Sequence, residues 1–198
     1  NKEVRNCFVE LFEECLVQEK KKRNAAEYTK ALPVLNILLG GSIIKAKEEE
    51  MNGLRNDLNT NLATLITTFV PLRKTLHRPE AEWVCRFWCV LRDAGLFPEA
   101  GIIIPEAKRT DIAFIYNKIG YAVEMKISRQ RGKAKEKMSE GWEEMKRNEY
   151  WKAFDDAVKN KEIDKVVAMV IVVEDEGGKT PSVFCEWDPV AEAMWREE

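Results

Sequence analysis

Apolar residues near the start of the chain recur at helical spacing, with Val4, Phe8, Leu11, Phe12 and Cys15 on one face before the basic run Lys20 to Arg23. A second apolar run, Ala31 to Leu39, stops at Gly40-Gly41. Ser42 then caps a helix that passes Glu48 to Glu50 toward Leu58, and Thr60 to Phe69 continues in kind. Pro79 suits the first turn of another helix, in which Ala81, Val84, Cys85, Trp88 and Leu91 share a face until Gly95 supplies a stop. Glu80 therefore stands in a first helical turn.

Beyond Gly95 the period changes from helix to strand. Ile102 to Ile104, Thr110 to Tyr116 and Gly120 to Ser128 read as strands, with Asn117-Lys118-Ile119-Gly120 as a hairpin turn. A charged helix from about Lys133 to Lys159 buries Trp142, Met145, Tyr150 and Phe154, and the β-branched run Val166 to Val173 reads as a central strand. Glu176-Gly177-Gly178-Lys179 turns the chain into Ser182 to Trp187, and Asp188-Pro189 opens a short closing helix holding Met194 and Trp195. The fold class expected is α/β (α+β), a central mixed sheet flanked by helices over residues 78–198. Residues 1–77 form a helical N-terminal part of the same domain.

Composition narrows the function. With 198 residues, 45% hydrophobic and 33% charged, the chain can bury one sizeable core. No run approaches the roughly 20 apolar residues of a membrane span, and Asn1-Lys2-Glu3-Val4-Arg5 lacks the apolar stretch of a signal peptide, so an intracellular, cytoplasmic protein with no membrane partner is expected. Cys7, Cys15, Cys85, Cys89 and Cys185 are odd in number and never approach CxxC spacing, which fits a reducing setting and disfavours zinc and a disulfide framework. His77 is the only histidine, leaving carboxylates as the hard-metal ligands. The net charge of −2 gives no global attraction to nucleic acid, but Arg129, Arg131, Lys133 and Lys135 cluster with Glu136 as the only acid from Lys126 to Lys137. That cluster is either a phosphate-binding patch or the solvated start of a helix.

Acid-x-Lys triplets occur at Glu19, Glu106, Glu124 and Glu144, so the triplet alone selects nothing. Only Glu124-Met125-Lys126 lies in an alternating strand, where Tyr121, Val123, Met125 and Ile127 face one way and Ala122, Glu124, Lys126 and Ser128 the other. A turn centred near Lys118 and Ile119 sets Asp111 opposite Lys126 and Ala113 opposite Glu124. Two carboxylates and an ammonium on one sheet face are costly to desolvate unless they bind a cation or one another.

Here the chain resembles the PD-(D/E)XK nuclease-like superfamily, and within it the domain that follows an AAA-ATPase-like domain in many bacterial proteins. Arg109-Thr110-Asp111-Ile112 and Glu124-Met125-Lys126 resemble its two signature strands. Arg78-Pro79-Glu80-Ala81 resembles the start of its first core helix, Asn1-Lys2-Glu3-Val4-Arg5 its opening, and the helix carrying Glu144 and Tyr150 its next element. The resemblance implies a restriction-endonuclease-like core. It also implies Mg²⁺ or Mn²⁺ held by Asp111, Glu124, Glu80 and the Met125 carbonyl, with Lys126 as the catalytic cation in phosphodiester hydrolysis. Arg129, Arg131, Lys133 and Lys135 would meet nucleic acid, DNA ahead of RNA, with Glu144 and Tyr150 at the edge of the site. Two residues depart from the pattern: Thr110 replaces Pro, and Glu144 replaces a usual Gln, where its charge either repels a phosphate or assists a second metal. A nuclease-fold module that no longer cuts and binds protein or nucleic acid is one alternative, and a toxin or effector domain exported into a host is another. Trp83, Trp88, Trp142 and Trp151, at helical spacing, are read as core rather than as stacking platforms.

Overall fold

In the computed structural model of the chain, residues 78–93, 99–100, 103–104, 108–177 and 180–190 are described, together with the helical positions Gly53, Asn56, Asn59, Thr60, Leu62 and Ala63. The helices expected before Gly53, the stop at Gly95 and the closing helix with Met194 and Trp195 lie outside the described residues, as does His77. Among the described residues no helix is long and apolar enough to cross a membrane.

Pro79 leads into helix α1 (Glu80–Asp93), whose first turn carries Glu80 and Glu82. The short strands β1 (Glu99–Ala100), β2 (Ile103–Ile104) and β3 (Lys108–Arg109) follow, then β4 (Ile112–Tyr116) and β5 (Ile119–Ser128). Helix α2 (Ala134–Asn148), a 3₁₀ turn (Tyr150–Phe154) and a short α3 (Asp155–Lys159) cross to β6 (Lys165–Glu174), and β7 (Ser182–Pro189) closes the order. The main sheet has five strands in the order β1-β4-β5-β6-β7, with β2 and β3 forming a separate two-stranded ladder. β5 and β6 run parallel and the other neighbours are antiparallel, which makes the sheet mixed.

Alternation along β5 and β6 sorts the core into two layers. On one side Tyr121, Val123, Met125, Val167, Met169, Ile171 and Val173 pack with Trp83, Phe87, Val90 and Leu91 of α1. On the other, Ala122, Val166 and Ala168 meet Met145, Tyr150, Trp151 and Phe154, while Val170 and Val172 meet Met138. A strand covered on both faces must be apolar throughout, which is why Val166 to Val173 carries no polar residue. Each fully buried aliphatic side chain contributes about 1.5–3 kcal/mol. Trp83 and Trp151 lie in these layers, in line with their reading as core.

The structure corrects three details. The hairpin turns on Asn117 and Lys118 alone, both in the left-handed region at φ 47° and 61°, which is the two-residue geometry that matches strand twist. Tyr116 therefore pairs with Ile119 and Ala113 with Ala122, not Glu124, a register two residues away from the expected one. Because the shift is even, every side chain keeps its face. The helix expected to reach Lys159 breaks at Glu149, whose φ of 50° ends α2 and releases Tyr150 into the 3₁₀ turn. Finally, β7 runs on through Asp188 and Pro189; as the last residue of an edge strand, Pro189 removes no interior ladder bond.

Helix α2 sits unusually close to the sheet at Gly141. A Cβ there would lie 2.5 Å from Val170 Cγ1 and 3.4 Å from Lys126 Cγ. Val170 is β-branched and held on a central strand, so it has little room to move aside. Gly141→Ala is expected to cost about 1–3 kcal/mol by overpacking. Urea denaturation checks this, and an unchanged midpoint would contradict the close approach.

Candidate active site

The strand entering the site is fastened by side chains before its ladder begins. Thr110, fully buried, donates its hydroxyl to the Val123 carbonyl at 3.1 Å. Asp111 lies at a bend just before β4, and its Oδ2 accepts the Met125 amide at 2.8 Å. Carried one step past the Ile112–Val123 pair, the observed register brings position 111 beside 124, whereas the expected one placed it opposite Lys126. The two carboxylates are thus neighbours on one face, held there by a side-chain bond instead of a backbone ladder.

Glu124 projects from β5 toward α2 with only 3% of its surface exposed. Lys126 Nζ lies 2.5 Å from Glu124 Oε1 and 2.8 Å from Glu144 Oε2. Gly141 explains the second contact: the helix approaches closely at that residue, and Glu144 follows one turn later on the same face. Glu144 is steadied in turn by Tyr150, whose hydroxyl donates to Oε1 at 3.2 Å and accepts from Asn148 Nδ2 at 2.9 Å. The break at Glu149 is what aims Tyr150 at this point.

Burial and crowding of like charge set the protonation states. Burial pushes Asp111 up to about 6, opposed by the Met125 amide and reinforced by the charge of Glu80. Burial pushes Glu124 up to about 8, with the Asp111 carboxylate adding to the rise and Lys126 only partly offsetting it. Lys126 is raised as well, because its bonds to Glu124 and Glu144 outweigh its own desolvation. Burial also disfavours the charged form of Glu144, but the bonds from Lys126 and Tyr150 win and hold its carboxyl below the ordinary value. Glu124 and Glu144 thus touch one ammonium, the charges of Asp111 and Glu80 act on it from farther off, and acidic side chains outnumber the cation.

That donor set suits a hard divalent cation: carboxylate oxygens and a neighbouring backbone carbonyl, no soft ligand, and a surplus of acid that a cation would relieve. Among the described residues no three acidic, His or Cys side chains are already gathered for coordination, and Lys126 fills the space between Glu124 and Glu144. A metal here would be held by Asp111, Glu124, the Met125 carbonyl and Glu80, with Glu124 exchanging its ammonium contact for the ion.

The basic segment lies at the end of β5, close to these residues in sequence. Arg131, Lys133 and Lys135 are exposed, and Lys133 pairs with Glu136 at 2.7 Å. Arg129 is engaged elsewhere: its Nη1 is 3.6 Å from Asp175 Oδ2 and its Nη2 donates to the Arg78 carbonyl. The α2 N-terminus is occupied too, since Glu174 Oε1 accepts the Ala134 amide at 2.8 Å. Arg78 is buried here, as are Glu174 and Asp175, two acids that the sequence had not marked as part of a site. The one signal for the acids was their position, immediately after an apolar strand with no room for charge.

A pH dependence follows for metal-free protein. Folded Glu124 holds its proton to about 8 and the unfolded chain releases it near 4.5, so the folded state binds more protons between these values and stability falls as pH rises through the window. Denaturant titrations across it should show that decline and a shallower one in Glu124→Gln; equal slopes would contradict the buried-carboxyl assignment. Comparison with protein-family models, curated proteins and solved structures finds no match, leaving the chemistry of these side chains as the guide to function.

Proposed function

We propose that the chain is a Mg²⁺- or Mn²⁺-dependent nuclease built on a restriction-endonuclease-like core, hydrolysing phosphodiester bonds in nucleic acid, DNA ahead of RNA. The observation that carries the reading is the bond from the Met125 amide to the half-buried Asp111, which sets it beside the buried Glu124 and Lys126 on one sheet face. The PD-(D/E)XK resemblance of the two strand motifs agrees with it. An intracellular setting and a neighbouring AAA-ATPase-like domain belong to the same proposal.

When bound, the ion supplies Lewis-acid polarisation of the scissile phosphate and a water of lowered pKa. Asp111 and Glu124 would hold it and would have to be deprotonated to do so, which ties its affinity to their raised pKa values. Lys126 keeps its positive charge and donates to the attacking water or to the phosphate oxygen on which charge develops. Glu144 would keep Lys126 in place were Glu124 to ligate the ion. Exposed Arg131, Lys133 and Lys135 supply phosphate contacts beside the site.

One observation favours a second reading, a nuclease-fold module that binds without cutting: Lys126 is held from two sides, by Glu124 and by Glu144. A cleavage assay on single- and double-stranded DNA and RNA separates the two. Wild type with Mg²⁺ or Mn²⁺ should cut, EDTA should stop it, and Asp111→Ala or Lys126→Ala should lower the rate by about 10²-fold or more while each variant still melts cooperatively. Equal cutting by all three proteins would mark a contaminant. Metal-independent, salt-sensitive binding with no cleavage would select the module. Reversing the charges of Arg131 and Lys133 should weaken DNA binding and reduce its salt dependence by about one ion per lost phosphate contact.

A further inference from the structure

Outside the catalytic face, Arg78, Asp175 and Arg129 form a connected ion cluster at the ends of β5 and β6. Asp175 follows β6 directly, and its amide donates to the Ser128 carbonyl at 2.9 Å, so its backbone is fixed to the last residue of β5. Its carboxylate is fully buried and accepts Arg78 Nη1 at 3.2 Å on both oxygens, with the Gly177 amide at 3.2 Å on Oδ1. Arg129 closes the triangle, reaching Asp175 with one guanidinium nitrogen and the Arg78 carbonyl with another. Arg78 is thus gripped by side chain and backbone together. Its guanidinium also lies 5.4 Å over the Trp83 ring, on α1 itself.

Arg78 is two residues before Glu80, and Pro79 between them fixes the backbone on entry to α1. Glu80 is near enough for its charge to act on both Asp111 and Lys126. A buried ion pair is a weak source of net stability, because desolvation offsets the attraction, and its best-attested use is to select one arrangement over others. Trp83 and Phe87 already anchor the apolar face of α1. What the ion cluster adds is a fixed position for the helix's first turn relative to the carboxyl ends of β5 and β6.

Resting on the nuclease reading, we infer that Arg78, Asp175 and Arg129 are positioning residues that set Glu80 as the ligand completing the metal site. Arg129, exposed but engaged by Asp175 and the Arg78 carbonyl, accordingly serves the metal more than the nucleic acid, unlike its neighbours Arg131, Lys133 and Lys135.

The test is Mn²⁺ affinity of the whole chain, measured by calorimetry without substrate. Asp175→Asn should weaken Mn²⁺ binding on the order of 10–100-fold, the range typical of groups that orient metal ligands. Combined with Glu80→Gln, it should cause no further loss, since a device that acts through Glu80 is silent once Glu80 cannot ligate. Arg78→Lys keeps the charge but loses the planar fork, and should give a smaller loss with the same dependence on Glu80. If Asp175→Asn does not fold, Arg129→Gln leaves the Arg78–Asp175 pair intact and carries the same cycle. Losses that add to that of Glu80→Gln would overturn the inference, as would Glu80→Gln binding Mn²⁺ like wild type. Wild type that takes up no Mn²⁺ overturns the metal reading itself, whereas wild type that binds it with affinity unaltered by Asp175→Asn and Arg129→Gln overturns the positioning role alone.

Discussion

The Asp111 carboxylate takes the Met125 amide of the neighbouring strand, and the candidate site depends on that bond. β4 begins only at Ile112, so no ladder bond fixes residue 111; the side chain does the fixing. The result is a carboxylate docked next to Glu124, another carboxylate with almost no access to water. Two such groups side by side resist ionisation together, and the arrangement is tolerable because Lys126 lies against one of them.

Several elements around this pair keep the charges close. Gly141 lets α2 descend onto β6, which brings Glu144 within reach of Lys126, and the break at Glu149 turns Tyr150 back onto Glu144. The buried Thr110 hydroxyl reaches across to the Val123 carbonyl and adds a cross-strand bond at the entry to the site. On the opposite face of the sheet the apolar packing of α1 is conventional, but the helix's beginning is set by ions. Arg78, held by Asp175 and Arg129, ties the turn that carries Glu80 to the strand ends.

Much of this was legible in the residues. Alternation along 121–128 assigned each side chain of β5 to its face, and the start of α1 after Pro79 followed from the fixed φ of proline and the apolar spacing beyond it. The hairpin register was not legible, because Asn117-Lys118 takes a left-handed pair that ordinarily calls for Asn-Gly, and Lys118 gives no sign of it. Nor was the end of α2, since Glu149 adopts φ 50° without glycine or proline nearby to mark a break. The part Arg129 plays was hidden for a different reason: its partners Arg78 and Asp175 are remote in sequence, and charge counting along one segment cannot see them. An even register error did no harm to the site, for strand faces repeat every two residues.

The central claim is that Asp111 and Glu124 are two ligands of one ion. Crystals soaked in Mn²⁺ and measured for anomalous scattering test it without reference to any substrate. The account predicts a single strong peak at about 2.0–2.3 Å from an oxygen of each carboxylate, with Lys126 still in contact with Glu144. Manganese absent from that position, or bound elsewhere while Glu124 remains on Lys126, would contradict it.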